Sequence, residues 1–374
     1  MSFHRIKFKS LLNPNKSFSN PPILFSLLIT TLLLSYIVLI SRPLAVTAWL
    51  AIELNFYRAL PLLAYTDTYG KQTSDPITGY LLSQVLGSIL LLIAFVIFYF
   101  GLHPSLQSFI VVFALLIKLG LPPAHKWFIN AVTNSDWKVI LFFIGPQKLP
   151  GLIILSQYLN STPQTNQLLP TAILRFIIII TALTATFIGI TVQSASAVVA
   201  YSSLAHLPWL VWGSWININL ILLYIFTYIL ILSILLFTLR KSISPSSSKA
   251  NTSQTQTFPL TQTRTIAAFT LLAIASIPPS FAFVPKLTLI SQTITQISWA
   301  GIIAPIIVVI STVVSAYFYA LLAINIMLQT TSSPLLPLSL KKAPLWHLTK
   351  YLSFLFLILI FALPLIIFLL TIAS

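Results

Sequence analysis

Four ionisable residues stand inside long apolar runs of this chain: Glu53, Lys118, Lys148 and Lys286. A charge at the centre of a bilayer costs about 2.5–3.5 kcal/mol on insertion scales. Such residues persist where they face a bundle interior or a hydrated path. One carboxylate among three amines at membrane depth suits the passage of a proton or small ion. Glu53, in WLAIELNFYRALPLL, is the only acidic residue within an expected span. It can pair with a buried lysine and carry a proton, or serve as a structural ion-pair partner. Lys118, in FALLIKLGLPP, can load and release a proton if it is poised between desolvation and a carboxylate. Lys148, in FFIGPQKLPGLIIL, lies near the middle of an expected span, too deep to snorkel easily to an interface. Lys286 follows the proline-rich SIPPSFAFVPK. For each lysine the alternative is a neutral, satisfied core amine. His206, in AYSSLAHLPW, is a candidate relay near neutral pH, with Tyr201, Ser202 and Ser203 nearby to hold water. A lone histidine in a bundle is more often simply hydrogen-bonded. His125 and Lys126 fall close to the positive surface, and Trp209, Trp212 and Trp215 read as core and interface anchors.

The elements that position these groups are membrane helices. The 374-residue chain is 57% hydrophobic and only 6% charged, against about 25% charged in soluble domains. Apolar runs long enough to span exclude the short alternating segments of a β-barrel. The expected class is all-α and polytopic, with about eleven spans. Their approximate limits are 22–40, 44–65, 79–101, 105–132, 137–158, 170–192, 196–215, 218–239, 264–294, 301–328 and 351–372. The net charge of +16 sits in loops and does not suggest nucleic-acid binding. With no cysteine, the chain offers no disulfide, iron–sulfur ligand or thiolate metal site. No phosphate loop, hydrolytic triad or nucleotide fingerprint occurs.

The span count passes a charge test. Alternation places the basic tail 1–21, Arg58, Lys71, Lys126, Lys138, the 240–263 loop, Arg264, Lys341, Lys342 and Lys350 on one side of the membrane. Arg42 alone falls clearly on the other, and Arg175 is ambiguous near a span edge. The N-terminus therefore belongs on the positive side and the C-terminus opposite. The tail reads as retained, because no small-residue cleavage site follows the first apolar stretch; a cleaved presequence is the alternative.

The fourth and ninth expected spans each contain Pro-Pro, at 122–123 and 278–279, close to Lys118 and Lys286. They are five spans apart. Two five-helix repeats, 22–158 and 170–328, would then have inverted topology, followed by a separate helix at 351–372. Inverted repeats with interrupted helices at matching positions mark ion paths in transporters. Proline frees a backbone carbonyl one turn back, which can bind water at membrane depth. Two ordinary proline kinks are the plainer reading.

The ordered motifs ELNFYRALPLL, YLLSQ, KLGLPPAHKW, PQKLPG, AYSSLAHLPW and PPSFAFVPK, between about residues 44 and 328, resemble the subunit 2 family of mitochondrial NADH dehydrogenase. These are antiporter-like membrane subunits of respiratory complex I. Ser276 and Ile277 depart from the family's glycines before the second Pro-Pro, Pro146 from a tryptophan, and Ala197 and Val198 from basic residues. The resemblance implies a proton-translocating module in the mitochondrial inner membrane, with the N-terminus in the matrix and the C-terminus in the intermembrane space. It implies membrane-arm partners, including neighbouring antiporter-like subunits, and lipid contacts. It leaves NADH, FMN, iron–sulfur clusters and ubiquinone to other subunits, with no cofactor on this chain. Enzyme activity would belong to the complex. A self-contained cation/proton antiporter is the rival reading, and a purely structural scaffold a third.

Overall fold

The computed structural model describes residues 21–40, 45–67, 75–101, 103–133, 135–161, 164–192, 195–243, 260–278, 280–296 and 303–328. The expected tail before residue 21, the loop residues 244–259 and the span expected at 351–372 lie outside the described residues. Every described element is a helix, as hydrocarbon requires of a chain that must satisfy its own backbone groups. In order they are α1 (Pro21–Ile40), α2 (Ala45–Asp67), α3 (Asp75–Tyr99), α4 (Pro104–Leu119), α5 (Lys126–Thr133), α6 (Trp137–Ile144), α7 (Leu149–Ser161), α8 (Gln164–Thr191), α9 (Ala195–Ile216), α10 (Ile218–Ile243), α11 (Leu260–Ile274), α12 (Phe283–Gln296) and α13 (Ile303–Leu328). By length and composition alone, five described stretches can cross a membrane: Pro76–Tyr99, Trp137–Ser161, Thr171–Thr191, Ile218–Thr238 and Ile303–Ile324.

The interruption between α4 and α5 follows from Gly120 and the prolines after it. Gly120 takes the left-handed conformation, φ 78° and ψ 36°. The Gly120 amide donates to Ile117 O at 3.1 Å and the Leu121 amide to Leu116 O at 3.0 Å, a Schellman ending. Pro122 has no N–H for the Lys118 carbonyl. The Gln84 side-chain amide on α3 donates to that carbonyl instead, at 3.2 Å. Trp127 Nε1 on α5 donates to the Ile117 carbonyl, also at 3.2 Å.

The ninth expected span is divided into α11 and α12. Ser276 adopts φ 56°, the left-handed region that glycine occupies freely. A side chain there costs roughly 1–2 kcal/mol. The Ser276 hydroxyl donates to Ile274 O at 3.2 Å, a local bond that glycine could not make.

A third interruption lies where the sequence reads as one continuous fifth span. The helix stops at Ile144 and resumes at Leu149. Pro146 cannot continue the ladder, so the Gln147 amide reaches five residues back to Phe142 O, at 3.0 Å. The Pro146 carbonyl accepts a bond from Tyr36 Oη on α1 at 3.0 Å and one from Asn55 Nδ2 on α2 at 3.3 Å. Asn55 Nδ2 also lies 3.4 Å from Gln147 O. Lys148 is therefore the last residue of a break pinned by the first two helices.

Helix α9 is the hub. It packs against α5, α7, α8, α10, α12 and α13, and every residue from 202 to 214 is buried. Large apolar side chains such as Leu82 and Ile93 on α3, Phe187 on α8, Phe226 on α10 and Val313 on α13 point outward, as membrane helices allow.

Candidate functional site

Glu53 lies midway along α2, and Lys118 in the last turn of α4. Lys118 Nζ donates to Glu53 Oε1 at 2.7 Å, and both side chains are buried. Two opposite charges this far from water offset part of each other's desolvation cost, and neither would be tolerated well alone. Gly87 on α3 makes room for the contact. A Cβ at Gly87 would stand 2.6 Å from Lys118 Cγ and 3.1 Å from its Cε. Gly87→Ala should therefore shift the lysine and lengthen the ion pair. The measurement is the separation of Lys118 Nζ and Glu53 Oε1 in a structure of the Gly87→Ala variant, and an unchanged contact of 2.7 Å would show that the lysine's path along Gly87 does not matter.

A polar shell surrounds the pair. Arg58, three residues after Asn55, donates to Asn55 Oδ1, and its guanidinium lies 4.9 Å from the centre of the Phe142 ring. Gln147 Nε2 donates to Tyr80 Oη at 2.8 Å. Asn55, Gln84, Lys118 and Gln147 line a cavity of about 10 Å³ between α2, α3, α4 and the 145–148 break. That is close to the room one water needs, and the lining offers several polar partners. The cavity joins the ion pair to the break that ends at Lys148.

Lys148 is 2% exposed, and its ammonium lies 4.2 Å from the centre of the Phe128 ring. Lys286, in the first turn of α12, lies 5.6 Å from the Trp209 ring centre. Among the described residues neither forms an ion pair with a carboxylate; an aromatic face lies by each ammonium instead. His206 on α9 feels the charge of both lysines. Its Nδ1 shares a hydrogen bond of 2.6 Å with Tyr224 Oη on α10. The structure thus brings Glu53 and Lys118 into contact, and sets His206 within electrostatic reach of Lys148 and Lys286. His125 is half-buried and Lys126 exposed, while Trp209 and Trp212 are buried and Trp215 half-buried.

Arg58, inside the expected second span, is only 4% exposed, and Asn55 and Phe142 receive its guanidinium. The sequence reading assigned no role to Asn55, Tyr80, Gln84 and Gln147. They stand in the motifs ELNFYR, YLLSQ and PQK, so the signal was a polar residue within an apolar run.

The family described as "NADH:quinone oxidoreductase/Mrp antiporter, TM" matches residues 101–315, more than half of the chain. The chain belongs to this family. Its relatives include NADH-ubiquinone oxidoreductase chain 2 of Eidolon helvum, 28% identical, with 83% of this chain and 88% of the relative covered. The protein of the same name from Artemia franciscana is 27% identical, over 79% and 88% of the two chains. A chain of respiratory complex I from Thermus thermophilus with bound aureothin has the same fold, with a TM-score of 0.61 at 19% identity. That likeness covers 86% of this chain and 73% of the other. A chain of the Mrp complex from Dietzia sp. gives a TM-score of 0.54 at 14% identity, over 75% of this chain. This chain spans 55% of the length of that Mrp chain. The family match covers Lys118, Lys148, His206 and Lys286, whereas Glu53 lies before it.

Proposed function

We propose that this protein is a proton-translocating subunit of the membrane arm of respiratory complex I, of the chain 2 type. The observation that carries the reading is the buried Glu53–Lys118 ion pair of 2.7 Å in a chain of this family, followed by buried lysines that lack carboxylate partners among the described residues. The name shared by the relatives, NADH-ubiquinone oxidoreductase chain 2, supports it.

In this mechanism the pair is the switch. While it is closed, each charge stabilises the other. Quinone reduction elsewhere in the complex alters the field along the arm and opens the pair. Lys118, now without its counter-charge in a low-dielectric bundle, gives up its proton. The polar cavity beside it carries the proton towards Lys148. His206, within electrostatic reach of both remaining lysines, assists the passage to Lys286. Residues 22–158 and 170–328 act as inverted five-helix repeats, each with a Pro-Pro interruption. The chain sits in the mitochondrial inner membrane among other membrane-arm subunits, with its N-terminus in the matrix and its C-terminus in the intermembrane space. NADH, FMN, iron–sulfur clusters and ubiquinone are handled by those other subunits.

The Mrp likeness keeps one rival in view, a self-contained cation/proton antiporter. A single buried carboxylate among the described residues suits a proton better than sodium. Mitochondrial membranes resolved on native gels and probed for this chain discriminate the two. The expected band is at the mass of complex I, and in mitoplasts the 240–263 loop should resist protease added from outside. Recovery only as a small free transporter would overturn the assignment, and cleavage of that loop would overturn the topology.

A further inference from the structure

The break at 145–148 leaves carbonyls that its own helix cannot pair. In a continued helix the Pro146 carbonyl would take the amide of residue 150. That residue is a second proline, in the first turn of α7, and it has no N–H to give. Lys148 stands between the two prolines. A buried carbonyl without a donor is costly, so the donor must come from elsewhere. Two other helices supply it, through Tyr36 Oη at 3.0 Å and Asn55 Nδ2 at 3.3 Å. Asn55 Nδ2 also lies 3.4 Å from the next carbonyl, that of Gln147. The start of the break is seated by packing instead: Ile229 on α10 fills the place a Cβ at Gly145 would take. Lys118 shows the same device. Pro122, four residues on, leaves the Lys118 carbonyl without a donor, and the carboxamide of Gln84 on the neighbouring α3 replaces it.

The carboxamide of Asn55 has only one orientation that fits. A guanidinium can only donate, so the end bonded by Arg58 is the oxygen. The amide end is then the one turned to the carbonyls of Pro146 and Gln147. Asn55 and Lys148 are each 2% exposed, too deep for bulk water to stand in for a lost partner. The Lys148 ammonium carries donors and no acceptor. Open carbonyls one and two residues before it would compete with the Phe128 ring for those donors, and a charge-assisted bond to a carbonyl is strong. With both carbonyls occupied, the ammonium rests 4.2 Å from the ring centre.

We propose that Asn55, with Tyr36, is a positioning residue for Lys148: by occupying the carbonyls of Pro146 and Gln147 it denies them to the ammonium, which stays on the Phe128 face and free to pass a proton. The placing of the lysine stands on these hydrogen bonds. Its part in pumping rests on the function proposed above. Asn55 lies two residues from Glu53 on α2 and lines the cavity beside Lys118. One side chain thus ties the helix of the ion pair to the seat of the next lysine.

Electron cryomicroscopy of intact complex carrying Asn55→Leu, a side chain of similar size with no donor, tests the placing directly. The expected result is an ammonium drawn about 1 Å or more off the ring towards the Gln147 carbonyl, a misplacement able to cost up to about 10²-fold in transfer. An ammonium still 4.2 Å from the ring centre would overturn the proposal. Should Asn55→Leu not assemble, Tyr36→Phe keeps the ring and frees the Pro146 carbonyl from one donor, and an unmoved ammonium there would overturn the proposal equally. In the functional arm, proton uptake by reconstituted complex should fall about tenfold with Asn55→Leu. Adding Asn55→Leu to Lys148→Met should cost little more, because both act at one ammonium. A merely structural asparagine would add its own loss to that of Lys148→Met, and additive losses would overturn the proposal. Lys148→Met alone separates the two levels. If Lys148→Met lowers uptake and Asn55→Leu does not, the positioning role fails alone. If Lys148→Met pumps normally, the route proposed above fails, and the place of the ammonium in the variants still decides the claim about Asn55.

Discussion

Complex carrying Lys118→Met should pass electrons from NADH to an artificial acceptor at the normal rate, while proton uptake and quinone-linked turnover fall by about tenfold or more. The size of the effect follows from the role. Positioned proton transfer is worth about 10²–10⁴ in rate, and a bypass through water would recover part of that. Methionine is one heavy atom shorter than lysine but keeps the unbranched stem that packs against Gly87. It leaves Glu53 buried without its ammonium, and breaking a buried pair costs roughly 3–5 kcal/mol unless the carboxyl takes up a proton. Glu53→Gln removes the other half and should act in the same direction. The double variant should lose less than the sum of the two, because Lys118 and Glu53 are in contact at 2.7 Å and act as a unit. The measurement is proton uptake per NADH oxidised in reconstituted complex, with assembly checked on native gels. Normal pumping by assembled Lys118→Met enzyme would refute the role given to the pair.

Lys148 offers the second large effect, and a cleaner separation of charge from proton transfer. Its ammonium rests over the Phe128 ring, at the end of a break whose carbonyls are held by Tyr36 and Asn55. Lys148→Met should interrupt the route and lower pumping by about tenfold or more. Lys148→Arg keeps the positive charge and the contact with the aromatic face. A guanidinium does not deprotonate in proteins, so it cannot pass a proton on. Lys148→Arg should therefore be nearly as deficient as Lys148→Met. Full pumping by the arginine variant would mean that Lys148 supplies a fixed charge and nothing more.

Much of this arrangement was legible in the sequence, for reasons that show where legibility stops. The apolar runs announced the helices because hydrocarbon permits little else. Gly120 with Pro122 announced the end of α4, because the backbone needs a left-handed residue and loses a donor there. The break at 145–148 was harder to see. Gly145 and Pro146 stand between strongly apolar flanks, and hydropathy averaged across them reads as one span. What makes the break tolerable lies far away in sequence, at Tyr36 and Asn55, whose side chains bond to its carbonyls. The contact between Glu53 and Lys118 bridges sixty-five positions, a distance on which helical periodicity says nothing.

The charges buried among the described residues do not balance. Glu53 is the single carboxylate, set against Arg58, Lys118, Lys148 and Lys286. With all three amines protonated, the interior would hold a large excess of positive charge, and in a medium of low dielectric each added proton raises the energy of the next. The bundle is thus a register of small capacity. In the proposed mechanism, filling one position would tend to empty another, and crowding would supply the push that a dedicated acceptor would otherwise have to provide.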